Sequence, residues 1–147
     1  MSPHPFAIAL LCLAASAAAA ADRLTWLTVV GDSASAASDS VQIEPESVVV
    51  FASLRTIRIR VSRSHERTGY DDRPYRSYIA SVQIDCSNLS ASFRQIQLFM
   101  GPRWSGDSRI LNYREADMPP MVFRDFQPNP TSRIVQAACS IDRVQTK

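Results

Sequence analysis

A chain of 147 residues, 46% hydrophobic and 20% charged, has room for one domain with one modest core, and two independent domains are not expected. Its 16 basic side chains stand against 14 acidic ones, for a formal charge of +2. So close a balance gives no basis for nucleic-acid or polyanion binding.

Phe6 to Ala15 is an apolar run of signal-peptide length, followed by the small residues Ser16 to Ala21 and then Asp22. The run is too short to span a membrane, and cleavage after Ala21 satisfies the rule for small residues before the cut. Residues 1–21 are therefore expected to be a signal peptide and 22–147 a single exported domain, with no transmembrane segment in the mature chain. Cys12 would leave with the signal. Lipoprotein processing needs a small residue before the modified cysteine, and Leu11 is not one, so no lipid anchor is expected at Cys12. The mature chain keeps Cys86 and Cys139, an even pair in a compartment where disulfides persist.

Leu24 to Val30 is rich in β-branched and aromatic residues and reads as the first strand, ending at Gly31. Gly31 to Ser40 is small, polar and aperiodic, so a loop follows. Val41 to Ile43 is a brief strand cut off by Pro45, and Ser47 to Ala52 adds another apolar run. Thr56 to Ser62 alternates cleanly: Ile57, Ile59 and Val61 face the core, while Arg58 and Arg60 face solvent or a partner. His65 to Arg76, with Gly69, Asp71, Asp72 and Pro74, reads as a hairpin loop.

Tyr78 to Cys86 is the central strand. Side chains alternate across a strand, so Tyr78, Ala80, Val82, Ile84 and Cys86 share the inward face. Asn88 to Ser90 makes a tight connection to a strand over Phe93 to Met100, with Ile96, Leu98 and Met100 on one face. Trp104 to Asp107 is a turn, and Ser108 to Arg114 is the last strand. Ala116 to Pro130 holds four prolines and cannot be regular, yet Met121, Phe123 and Phe126 are expected to pack across the sheet. Thr131 to Asp142 reads as an amphipathic helix capped by Asn129 or Thr131, with Ile134, Val135, Ala138 and Ile141 on one side. Cys139 lies beside that stripe, where a bridge to Cys86 would staple the helix to the sheet. The expected class is α+β: an antiparallel sheet of about six strands with one C-terminal helix tied to one face.

The inventory of catalytic devices is thin. After export His65 is the only histidine, which excludes two-histidine metal motifs and leaves a hydrolase triad that residue alone as base. No glycine-rich phosphate loop or nucleophile elbow is present. Asp71 and Asp72 read as a solvated turn rather than a cation site. No enzyme activity, cofactor or metal is expected. The unusual surface feature is a run of arginines, in which Arg58, Arg60, Arg63, Arg67, Arg73 and Arg76 outnumber the carboxylates and stand near Tyr70 and Tyr75. These eight residues are the candidate contacts to an anionic glycan or acidic protein surface. The competing reading is a charged sheet face that resists aggregation.

The early Trp-containing strand, the Tyr-x-x-x-x-x-Ile-Asp-Cys strand at Tyr78 to Cys86 and the Pro-x-Pro-x-Ser segment leading from Pro128 to Cys139 together resemble the surface-adhesin protein E family of bacterial exported proteins. The resemblance implies a curved antiparallel sheet with a C-terminal helix tied to its concave face by a Cys86–Cys139 disulfide. It also implies an adhesin-like domain contacting a protein or glycan partner in the cell envelope or outside the cell. The named adhesins bind host matrix and plasma proteins. The alternative is a periplasmic inhibitor or envelope-assembly accessory. The expected location is periplasmic, outer-membrane-associated or secreted, with the oligomeric state, a homodimer included, left open.

Overall fold

The computed structural model describes residues 26–141, so the expected signal peptide lies outside the described residues. Six strands, β1 (Leu27–Gly31), β2 (Ser40–Phe51), β3 (Leu54–Thr68), β4 (Pro74–Asp85), β5 (Ser90–Phe99) and β6 (Ser108–Asn112), are followed by one helix, α1 (Thr131–Cys139). The strands pair in chain order as an antiparallel meander, and the sheet is curved. The connections between strands are local, as antiparallel links allow, the two longest being the loops over residues 32–39 and 100–107.

The core is laid out in cross-strand rows. Ile43, Ile59, Ala80 and Ile96 stand opposite one another, as do Val41, Val61, Tyr78 and Leu98. This inner face is covered by Ile134, Val135 and Ala138 of α1 and by Met121, Phe123 and Phe126, all buried. The proline-rich stretch reaches its place as a strand would: Phe93 N–H donates to Pro119 O and Met121 N–H to Ala91 O. Asn129 Oδ1 accepts the Thr131 N–H at 2.9 Å, closing the entry to α1. Cys86 and Cys139 are bonded, with Cα atoms 5.6 Å apart.

Several boundaries differ from the sequence expectation, each for a physical reason. Pro45 does not end a strand, because β2 bulges between Glu44 and Val49. There the Ser47 hydroxyl donates to Glu44 O at 2.6 Å and accepts the Arg58 N–H at 2.8 Å, so the ladder continues past the missing donor. The loop expected over His65 to Arg76 shrinks to a turn between Thr68 and Pro74, since β3 carries its own bulge between Ser62 and Arg67. Phe93 shares the inner face with Ile96 because β5 bulges by one residue opposite Ser81 and Val82; Met100, beyond the strand, is exposed. β6 ends at Asn112 and α1 at Cys139, while Asp142, expected in the helix, lies outside the described residues.

Candidate binding surfaces

The eight candidate residues separate onto two sides of the sheet. Alternation along β3 sends Arg58 and Arg60 outward and Arg63 inward with Val61. On the outer face Arg60 is clamped between two indoles, its guanidinium carbon 4.4 Å from the Trp26 ring centroid and 3.9 Å from that of Trp104. Its Nε donates to Gln42 Oε1 at 2.7 Å. Burial under the rings lowers the Arg60 pKa, against the opposing Glu44 charge, yet an arginine stays charged at any working pH. Arg58 Nη1 lies 3.0 Å from Glu44 Oε2, and its guanidinium carbon is 5.6 Å from the Trp26 ring centroid.

Trp104 is brought there by a loop that folds back over the sheet. Arg103 and Trp104 sit in the left-handed region, at φ 52° and 59°. Such backbone costs about 1–3 kcal/mol per non-glycine residue and persists only where its surroundings hold it. Two serines on the outer face supply the hold. Ser62 Oγ accepts the Arg103 N–H at 3.0 Å. Ser77 Oγ accepts the Trp104 N–H at 2.8 Å and donates to Gly101 O at 2.6 Å. The indole Nε1–H then donates to Tyr78 O at 3.1 Å. Further across this face, Ser81 and Gln95 continue the row that begins with Glu44 and Arg58, and among the described residues no helix covers them.

The inner side of the hairpin is a cleft of about 430 Å³ between the β3–β4 end and the Val122 to Phe126 strap, bordered by Arg63, Arg67, Tyr70, Tyr75 and Tyr78. The Arg63 side chain is 4% exposed and pairs with Asp39 at 3.5 Å, its guanidinium carbon 4.1 Å from the Phe126 ring centroid. Burial works to raise the Asp39 carboxyl, but hydrogen bonds from Ser64 and the Arg63 and Arg67 charges outweigh it and hold it below its ordinary value. Tyr70 meets Phe93 edge-on at 6.0 Å, and Phe93 meets Tyr78 likewise at 6.0 Å. Burial pushes the Tyr70 and Tyr75 hydroxyls upward, and that of Tyr78 well upward, so all three stay protonated at neutral pH. The Tyr70 hydroxyl also ties the hairpin to the strap, donating to Pro120 O at 3.1 Å.

The other two candidates have different surroundings. Arg76 spends its donors on backbone: Nε to Arg63 O at 3.2 Å and Nη2 to Ser64 O at 2.9 Å and Ala36 O at 3.2 Å, so it closes the β3 bulge against the β1–β2 loop. Arg73 is at the exposed turn, where its carbonyl accepts the Gly69 N–H at 2.8 Å and Arg109 Nη2 at 3.1 Å. Trp26, Trp104, Ser62 and Ser77 were not foreseen as part of either surface.

Ser64, His65 and Asp39 lie close enough to invite comparison with a hydrolase triad. Ser64 Oγ is 2.8 Å from His65 Nδ1, but Asp39 Oδ1 accepts the Ser64 backbone N–H rather than orienting the imidazole. The arrangement therefore lacks the acid-to-base contact on which triad chemistry depends. Among the described residues no helix is long and apolar enough to cross a membrane, and no group of three His, Cys, Asp or Glu side chains could hold a metal ion.

A comparison with curated proteins finds no match. The family model of the surface-adhesin protein E covers residues 26–140, a span that runs from the indole stacked on Arg60 to the residue after the bridged Cys139, and the chain belongs to that family.

Proposed function

We propose that this protein is a non-enzymatic, exported binding domain whose outer sheet face, centred on Arg58 and Arg60, contacts a protein or glycan partner in the cell envelope or outside the cell. Cleavage after Ala21 would release residues 22–147 as the working domain. Membership in a family of surface adhesins supports a binding role at the cell exterior. The observation that carries the choice of face is the Trp26–Arg60–Trp104 stack. A single arginine is held between two rings, one of them delivered by strained backbone, beside an open row of polar side chains. Aromatic and arginine side chains fixed in advance lose little entropy on binding, which is why such groups dominate recognition surfaces.

The test is capture of envelope and matrix proteins and of acidic glycans by the purified mature domain, comparing wild type with Arg58→Ala/Arg60→Ala. Loss of capture in a variant that melts like wild type supports the assignment. Unchanged capture removes this face from it.

A further inference from the structure

The β6 edge of the sheet carries backbone groups that the fold leaves unused. Tyr113 N–H donates to Arg94 O and Met100 N–H to Asp107 O, and both pairs continue the β5–β6 register. Hydrogen-bonded pairs recur at every second position of an antiparallel ladder, so Ile96 with Leu111 and Leu98 with Arg109 are the bonded pairs between them. Ser108, Ile110 and Asn112 therefore turn their N–H and C=O groups away from β5. Among the described residues no backbone hydrogen bond outside the sheet reaches them, β6 is the last strand in the sheet order, and all three residues are exposed. Open edges are normally blunted by a bulge, a proline or a charge. The β5–β6 ladder has no bulge, whereas each of the other four has one. The one charged residue of β6, Arg109, is bound to Asp71 and to the carbonyls of Arg73 and Pro74. The side chains of Asn112 and Ser108 are tied back to Gln95 and Gln97, which leaves Ile110, 54% exposed, as the apolar centre of the edge.

We propose that β6 is a docking edge for an extended peptide segment of a partner protein, which joins the sheet as one more strand, pairs with the backbone of Ser108, Ile110 and Asn112, and sets an apolar side chain against Ile110. The complementarity is that of a strand: donors and acceptors alternate along the edge at ladder spacing, which a glycan or a lipid surface does not reproduce. A second copy of this chain fits less well, because two copies meeting along a strand of five residues would fall short of the roughly 1,000 Å² that a stable interface buries. The opposite edge is less suited, since β1 is bulged between Thr28 and Val30 and a bulge twists an edge away from a partner. The site goes beyond the surface centred on Arg58 and Arg60 and does not depend on it.

The test selects binders to the oxidised mature domain from a random peptide library, synthesises the tightest, and follows backbone amide hydrogen exchange by nuclear magnetic resonance with and without that peptide. In the free domain the amides of Ser108, Ile110 and Asn112 should exchange fast while those of Arg109 and Leu111 are protected, and saturating peptide should slow the first three at least tenfold. N-methylating alternate peptide bonds of the ligand should weaken binding at least tenfold for one alternate set and not for the other, since only one side of a strand can face β6. Ile110→Pro, which removes an N–H that serves no bond within the sheet, should cause the same loss; if that variant melts well below wild type, the N-methylated peptides decide. Arg58→Ala/Arg60→Ala should bind the peptide as wild type does, which separates this edge from the outer face. Failure to select a peptide, protection that falls elsewhere and spares these three amides, or equal binding by both N-methylated peptides would overturn the proposal. So would protection of the three amides that rises with protein concentration in the absence of peptide, which would give the edge to a second copy.

Discussion

Replacing both bridged cysteines, as Cys86→Ser/Cys139→Ser, removes a covalent link between residues 53 apart in sequence. In the chain-entropy treatment, freeing a loop of that length restores about 14 cal/mol/K to the unfolded chain, or about 4 kcal/mol of stability at 25 °C. For a domain of this size the loss corresponds to a fall of about 15 °C in melting temperature. The effect should not be uniform. α1 has nine residues, too few to be helical alone, and without the bridge it is held by Ile134, Val135 and Ala138 packed on the sheet. The α1 amides should therefore exchange faster than those of β3 and β4, and their protection should fall by more than the global change. Thermal unfolding followed by far-ultraviolet circular dichroism, with hydrogen exchange on the same samples, reads both effects. Equal midpoints for the oxidised wild type and the double-serine variant would refute the energetic role given to the bridge.

Gly31→Ala should destabilise by more than the usual glycine substitution, which costs or gains about 1 kcal/mol. Gly31 is at φ 79°, and a Cβ there would stand 1.8 Å from the Asp39 carbonyl oxygen. The displaced Asp39 would also loosen its pair with Arg63, so a urea midpoint like that of wild type would contradict the tight turn. Ser77→Ala removes two hydrogen bonds to the strained loop, at about 1 kcal/mol each; Trp104 fluorescence should become more solvent-exposed, and an unchanged emission maximum would deny Ser77 that role. The side-chain hydrogen bond from Arg109 holds the Asp71 carboxyl down at about 2, from 3.8. A lowered folded-state pKa means the pair's stabilisation is complete above the unfolded value and is lost as pH falls through the folded one. Wild type should therefore lose more stability than Asp71→Asn between about pH 4 and 2, and parallel acid-unfolding curves would contradict it.

Much of the fold was legible because alternation is a local signal. Ile57, Ile59 and Val61 fall on the inner face with Tyr78, Ala80, Val82 and Ile84, and the two cysteines meet where the helix crosses that face. The misplacements occur at bulges. A single inserted residue in β5 reverses which residues point inward, so Phe93 is buried beside Ile96 although the spacing is odd, and period-two reading cannot see the insertion. Pro45 looked like a terminator because the Ser47 hydroxyl that stands in for the missing ladder is not a backbone signal. The candidate surfaces were visible only as a charge run. Extending the alternation two residues past Val61 would have turned Arg63 inward, whereas the approach of Trp104 to Arg60 depends on serines in β3 and β4 more than twenty residues away, for which no spacing rule exists.

The outer face as the site of contact is tested most directly by photo-cross-linking in the native cell envelope. A benzophenone side chain at Ser81, opposite Arg58 in the sheet, should give a discrete adduct that disappears in the Arg60→Ala background, while the same probe at Gln136, exposed on α1, should give none. Adducts from Gln136 with none from Ser81 would place the partner on the helical side and contradict the assignment.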